Sequence, residues 1–185
     1  MLAVGTLEPR KNLPRLVAAY ARLDRALQER HPLVVVGPTG WQTGETLDAL
    51  RSLGDRCRVL GFVSDAELAA LYRGCAVFAY PSLGEGFGLP VLEALAAGAP
   101  VLTSDRSSLP EVGGDAVAYC DPTDTAAIAQ ALGALLRDPE RRAQLAARGP
   151  VRAASFSWDR YAERVLATLA AAAEHRIEQL ARDGA

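Results

Sequence analysis

The sequence predicts an α/β domain on a parallel, doubly wound sheet of the Rossmann-like type, followed by C-terminal helices. Two observations predict it. Short apolar runs alternate with helical patterns along most of the chain, and the turns where strands should end are rich in glycine or charge. Strands are expected near Leu2–Val4, Leu33–Val36, Val59–Leu60, Val77–Tyr80, Val101–Thr103 and Val117–Tyr119. Between them the apolar spacing predicts helices at about 13–29, 45–52, 65–73, 89–97 and 124–136. A βαβα repeat of this kind builds a parallel sheet. Start signals support it: Asn12 with Pro14, Ser64 with Glu67, Asp121-Pro122, Asp138-Pro139 and Ser157 stand where an N-cap or first-turn residue belongs. After about residue 138 the strands stop and two helices are expected, at about 139–148 and 158–181, the second rich in alanine. The expected organisation is a Rossmann-like domain over residues 1–155 and a terminal helical segment over 156–185.

Composition narrows the function. With 185 residues, half of them apolar and 23% charged, the chain has material for one compact domain. A net charge of −2 supplies no basic field for a nucleic-acid backbone, so no nucleic-acid partner is expected. Cys57, Cys75 and Cys120 lack paired metal spacing and are odd in number, which reads as small buried residues in a reducing compartment. No stretch is apolar enough to span a membrane, and the start lacks a signal-peptide pattern. A cytoplasmic protein is expected. Because Leu2 to Thr6 reads as a core strand with no lead-in, the chain is also expected to be a fragment.

In an open parallel sheet, ligands gather beyond the carboxyl ends of the strands. The first such turn runs Gly5-Thr6-Leu7-Glu8-Pro9-Arg10-Lys11-Asn12 and sets two adjacent cations before a helix. Amides, helix dipole and two cations suit an anion such as a diphosphate. A solvated Arg-Lys pair is the plainer alternative.

The turn after the fourth strand, Pro81 to Pro90, carries Gly84, Gly86 and Gly88 at alternate positions and leads into a helix near Leu89. Glycine admits close backbone approach, and the helix start offers unpaired N–H groups, so Gly86, Phe87, Gly88 and Leu89 form a second phosphate-ready site. Glu85 lies in the loop and Glu93 about one turn into the helix. Carboxylates accept from hydroxyls; flanking a phosphate site, Glu85 would meet a transferred sugar and Glu93 a ribose. The alternatives are an exposed loop acid and an ordinary helical glutamate. The third turn, Gly61-Phe62-Val63-Ser64, could frame a flat base through its backbone, Phe62 and Val63, or simply pack.

With these residues collected, the chain resembles the C-terminal domain of the family 4 glycosyltransferases, the retaining group with the GT-B fold. The likeness runs from Val4 to about Leu169. It rests on V-G-T-L-E-P-R-K-N-L at 4–13, V-V-V-G at 34–37, L-G-F-V-S-D-A-E-L at 60–68, P-S-L-G-E-G-F-G-L-P-V-L-E-A at 81–94, G-A-P-V-L-T-S at 98–104, L-P-E-V at 109–112 and F-S-W at 156–158. Glu85 and Glu93 match the family's E-x7-E pair.

The resemblance implies that Arg10 and Lys11 bind the donor diphosphate, and that Glu85 with the backbone of Gly86, Phe87, Gly88 and Leu89 binds sugar and phosphate. It gives Glu93 the ribose and the backbone around Phe62 and Val63 the base. Many members have arginine where this chain has Thr6, which shifts diphosphate contact onto Arg10 and Lys11. The wording G-T-L-E-P-R-K-N resembles a subgroup rich in mannosyltransferases and hints at GDP-mannose. The activity implied is transfer of a hexose, mannosyl or glucosyl, from a UDP- or GDP-sugar. No cofactor and no metal are expected, since no D-x-D triplet occurs.

The partners implied are the nucleotide sugar and an N-terminal acceptor domain missing from this chain, toward which the terminal helix would cross. Peripheral membrane association of the full enzyme and homo-oligomer formation through that helix are further expectations. Two other readings stay open at this point: a nucleotide-sugar-binding module without turnover, and a dinucleotide-dependent oxidoreductase. The second is disfavoured because its G-x-G-x-x-G belongs after the first strand.

Overall fold

The computed structural model describes residues 1–41 and 44–183, with side chains through His175. Among the described residues, β1 (Leu2–Val4), β2 (Leu33–Val36), β3 (Cys57–Gly61), β4 (Phe78–Tyr80), β5 (Val101–Ser104) and β6 (Ala118–Cys120) form one sheet in the order β3-β2-β1-β4-β5-β6. All pairings are parallel, with Leu2 opposite both Val34 and Phe78. The expected doubly wound, Rossmann-like sheet is therefore present. Succession runs outward to β3 on one side of β1 and outward to β6 on the other, so the winding reverses between β1 and β4.

The central strands are buried because both faces are covered, whereas the edge strand β3 carries Arg58 and leaves Val59 and Leu60 exposed. Side chains alternate along each strand. Leu2, Phe78 and Val101 face one core with Val91, Leu95 and Leu109, while Ala3, Ala79 and Leu102 face the other with Leu16, Ile128 and Leu132. On the second face α1 (Leu13–Ala21), α3 (Gly44–Arg51) and α7 (Thr125–Arg137) pack; on the first lie α4 (Asp65–Gly74), α5 (Leu89–Ala96) and α6 (Leu109–Gly113), while α8 (Pro139–Ala153) reaches both, with Leu145 in the second core and Ala153 against the first.

Several expectations need correction. The single helix expected over 13–29 is two, α1 and α2 (Arg25–Arg30). Asp24 caps α2 by accepting from the Leu27 N–H at 3.0 Å. The buried Gln28 side chain lies 3.2 Å from the Tyr20 and Ala21 carbonyls and 2.6 Å from that of Leu23, which ties α2 back onto the exit of α1. Asp121 does not cap α7: it accepts from Thr123, and Asp124 caps the helix instead. The helix α8 runs past the expected 148 to Ala153 with Pro150 inside it. There Gly149 lets it press on α5, since a Cβ would sit 2.8 Å from the Leu95 carbonyl oxygen. The short α6 was not anticipated.

The capping box of Ser64 and Glu67 is present as expected, and Asp138 accepts from the Arg141 N–H at 2.8 Å. Of the cysteines, Cys120 is buried while Cys57 and Cys75 are half-buried, and all are free thiols. Burial pushes Cys75 up to about 11 and Cys120 to about 12, leaving both protonated and inert near neutral pH.

The chain divides into two compact units, Met1–Ala153 and Ala154–Ala185. The second consists of a short lead-in and α9 (Trp158–Asp183), whose start is capped by Ser157 accepting from the Arg160 N–H at 3.2 Å. Trp158, Tyr161, Val165 and Leu169 recur at helical spacing along one stripe. No described helix is long and apolar enough to cross a membrane.

Candidate functional site

The reversal between β1 and β4 opens a crevice at the carboxyl ends of those two strands. Both turns singled out in the sequence lie there: residues 5–12 follow β1, and residues 81–88 join β4 to α5. They are stitched together, because the Leu83 N–H donates to the Arg10 carbonyl at 2.9 Å. Asn12 completes the joint. It occupies the N-cap position of α1 but adopts the left-handed region at φ 60° and makes no side-chain cap. Its buried amide instead donates to the carbonyls of Pro81 at 2.9 Å and Pro122 at 2.7 Å, tying together the turns after β1, β4 and β6. Its expected capping role is thus replaced by a tertiary one.

Glu85 is the hub of the crevice. One carboxylate oxygen accepts from Lys11 Nζ at 2.9 Å, the Tyr80 hydroxyl at 2.8 Å and Ser82 Oγ at 2.7 Å; the other pairs with Arg10. Arg10 also pairs with Glu8 at 2.6 Å and donates to the Gly84 carbonyl at 3.0 Å. The alternative of an exposed loop acid therefore fails, since the Glu85 side chain is only 7% exposed. Arg10 reaches toward solvent at 45% and Lys11 is enclosed at 12%, so the cations differ in reach. Burial pushes the Glu85 carboxyl up, yet hydrogen bonds from Lys11, Ser82 and Tyr80 outweigh it and hold the group below the usual carboxylate range.

The glycine loop is fixed from behind. Its Glu85 N–H donates to Ser107 Oγ at 2.9 Å, and Ser108 Oγ donates toward the carbonyls of Glu85 at 3.0 Å and Phe87 at 2.8 Å. Ser107 holds the left-handed region at φ 53°, an unusual conformation for serine. Gly88 opens α5 at φ +101°, and a Cβ there would lie 2.6 Å from Leu109 Cδ2. Gly84 and Gly86 differ: neither has positive φ, and a Cβ on either would meet nothing within 4 Å. The fold requires Gly88, whereas the open side of Gly84 and Gly86 faces free space. Pro90 sits in the first turn of α5, where its missing donor costs nothing.

Glu93 lies on α5, exposed, with one oxygen accepting from the hydroxyl of buried Tyr72 on α4 at 3.1 Å. In the third turn the two expected residues part ways. Phe62 is 84% exposed, while Val63 packs against the core. Among the described residues no cluster of three or more His, Cys, Asp or Glu could hold a metal ion.

Sequence reasoning missed Tyr72, Tyr80, Ser82, Ser107 and Ser108. Tyr80 and Tyr72 read as core residues of a strand and a helix, and their hydroxyl partners depend on the crossover. Ser107 and Ser108 lie between two matched motifs and carry no local pattern.

With this geometry in hand, likeness to known proteins is informative. Residues 1–152 match the family Glycosyl transferases group 1. This chain belongs to the group 1 glycosyltransferases. It is 44% identical over 161 residues to O-antigen chain mannosyltransferase B of Escherichia coli, covering 85% of this chain and 42% of that protein. Sucrose-phosphate synthase from Thermosynechococcus elongatus superposes at a TM-score of 0.76 with 28% identity, over 92% of this chain and 46% of the synthase. Anabaena HepE, solved in complex with UDP-glucose, superposes at 0.79 with 20% identity, over 92% and 48%. At that identity the likeness to HepE shows the fold, which is that of the GT-B glycosyltransferases. This group 1 chain spans less than half the length of each of these three proteins.

Proposed function

We propose that this chain binds the donor of a retaining glycosyltransferase that moves a hexose, mannosyl or glucosyl, from a nucleoside-diphosphate sugar to an acceptor held on another domain. One observation carries the reading: two cations and a buried carboxylate converge at the winding reversal, beside the start of α5. Arg10, Lys11 and the first N–H groups of α5 supply the positive potential that a departing diphosphate needs. In other enzymes one such donor lowers the barrier by roughly 2.7–4 kcal/mol. Open space beside Gly84 and Gly86 leaves room for a ligand to approach the loop backbone.

In this reading Glu85 and the backbone of Gly86, Phe87, Gly88 and Leu89 receive sugar and phosphate. Glu93 receives the ribose hydroxyls, and the backbone at Phe62 and Val63 receives the base. The name of the E. coli relative favours a mannosyl donor. No metal is needed, because cations and helix amides already meet the diphosphate charge. The stripe of Trp158, Tyr161, Val165 and Leu169 on α9 is the face we assign to the acceptor domain.

Calorimetry of UDP, GDP and their sugars tests the reading. Glu93→Ala should weaken nucleoside diphosphates and nucleotide sugars alike by about 1.5–3 kcal/mol, the worth of a charge-assisted bond. A silent Glu93→Ala, with all ligands bound as before, would overturn the ribose assignment. Absence of binding by every nucleotide to the wild-type chain would overturn the donor site as a whole.

A further inference from the structure

A row of three aromatic rings lies beneath the crevice. The Tyr72 ring meets Phe78 edge-on, with centroids 5.2 Å apart and planes at 85°, and Phe78 stacks on Tyr80 at 5.7 Å. All three rings are at least 97% buried. Only the hydroxyls at the two ends reach polar partners, and each meets a different acid. Tyr72 donates to Glu93 at 3.1 Å. Tyr80 donates to Glu85 at 2.8 Å while accepting from Lys11 Nζ at 2.5 Å.

These bonds are more than core satisfaction. A buried phenol needs a partner, and a backbone carbonyl would do; Tyr20 in the opposite core uses the Gln28 and His31 carbonyls. Tyr72 and Tyr80 instead spend their hydroxyls on charged side chains of the crevice, Tyr72 on exposed Glu93 and Tyr80 on Glu85 and Lys11. Glu93 has rotatable bonds, is exposed, and among the described residues is held by the Tyr72 hydroxyl alone. Lys11 is flexible too, and its ammonium sits 4.9 Å from the Tyr80 ring centre as well as on the hydroxyl. Rings locked by packing can hold flexible charged groups in one place better than other flexible groups can.

We propose that Tyr72 and Tyr80 are positioning residues of the donor site, Tyr72 aiming Glu93 at the ribose and Tyr80 setting Lys11 and Glu85 for the diphosphate. The proposal rests on the donor-site reading above and deepens it. It also links the two assignments: α4 starts at the 61–64 turn assigned to the base and carries Tyr72, which holds the ribose acid Glu93 on α5.

Phenylalanine at either position keeps the ring and removes only the hydroxyl, so the core is retained. Two ligands separate the arms: inorganic pyrophosphate, and the tighter-binding of UDP and GDP. Tyr72→Phe should weaken the nucleoside diphosphate roughly three- to ten-fold and leave pyrophosphate unchanged. Tyr80→Phe should weaken both ligands by one common factor of about that size. In Tyr72→Phe/Glu93→Ala the loss should not exceed that of Glu93→Ala alone, because Tyr72 acts through Glu93.

A merely structural tyrosine would give another pattern. If Tyr72→Phe weakened pyrophosphate equally, or if its loss added in full to that of Glu93→Ala, the Tyr72 role would be overturned. If Tyr80→Phe left pyrophosphate unchanged, the Tyr80 role would be. A Glu93→Ala variant without effect is a distinct result: it removes the ribose reading, and the role of Tyr72 falls with it.

Discussion

Lys11 and Glu85 lie 74 residues apart in sequence and meet at 2.9 Å, each also bonded to the hydroxyl of Tyr80. The acid thereby neutralises the cations proposed to receive the diphosphate. Glu85 is consequently an internal anion as well as the proposed sugar-facing group, and its removal should have two effects of opposite sign. Glu85→Gln should tighten pyrophosphate by about 1 kcal/mol, the upper range for a partly exposed ion pair, while abolishing the extra affinity that the sugar brings. Paired titrations with pyrophosphate, nucleoside diphosphate and nucleotide sugar check this. Weaker pyrophosphate binding would mean that Glu85 serves chiefly to brace the loop.

The same bonds make stability depend on pH. The folded Glu85 carboxyl titrates below its unfolded value, so it binds fewer protons in the native state than in the unfolded chain. Its contribution is complete above the unfolded value of about 4.3. It is lost as pH falls through the lower folded value. Thermal melts from pH 7 downward should show a decline that is shallower in Glu85→Gln. Equal slopes in the two proteins would refute a native-state role for the ionised acid.

Two glycines of one loop should respond differently to alanine. In Gly88→Ala the new Cβ meets Leu109 and the backbone holds φ +101°, so the variant should lose about 1–3 kcal/mol of stability. In Gly86→Ala the methyl points into open space, so the fold should keep its stability while nucleotide-sugar affinity drops at least several-fold. Denaturant melts and calorimetry on both variants decide. Wild-type affinity in Gly86→Ala would show that no ligand approaches that side of the loop.

Chelation and turnover test the remaining parts of the proposal. Nucleoside diphosphates should bind equally with and without EDTA, and loss of binding on chelation would contradict a metal-free site. The chain by itself should bind donor yet transfer no sugar to an added acceptor, because catalysis requires both reactants held in register. Efficient transfer by the purified chain would overturn the assignment of the acceptor to another domain.

The central sheet was legible because β1, β2 and β4 are short apolar runs, and a strand buried on both faces shows as such in composition. The positions of Arg10, Lys11, Glu85 and Glu93 could be read because each sits at a fixed offset from a strand end or helix start. What escaped depends on distant partners. The break between α1 and α2 relies on Gln28 folding back over the α1 carbonyls, and periodicity alone does not show which side chain turns inward. Pro150 ought to end a helix, but contact with α5 outweighs its local preference. That Glu85 would pair with both cations was invisible too, since the turns after β1 and β4 must first meet.

Asn12 has an energetic consequence for the ligand. By donating to Pro81 and Pro122 it fixes the spacing between turns that belong to three different strands. Their conformational entropy is therefore surrendered while the polypeptide folds, before any nucleotide arrives. The proposed donor would find the walls already assembled, and its binding energy would not be spent on ordering them. On the donor-site proposal the crevice would act as a cast mould, shaped in folding by the Asn12 bonds before a diphosphate enters.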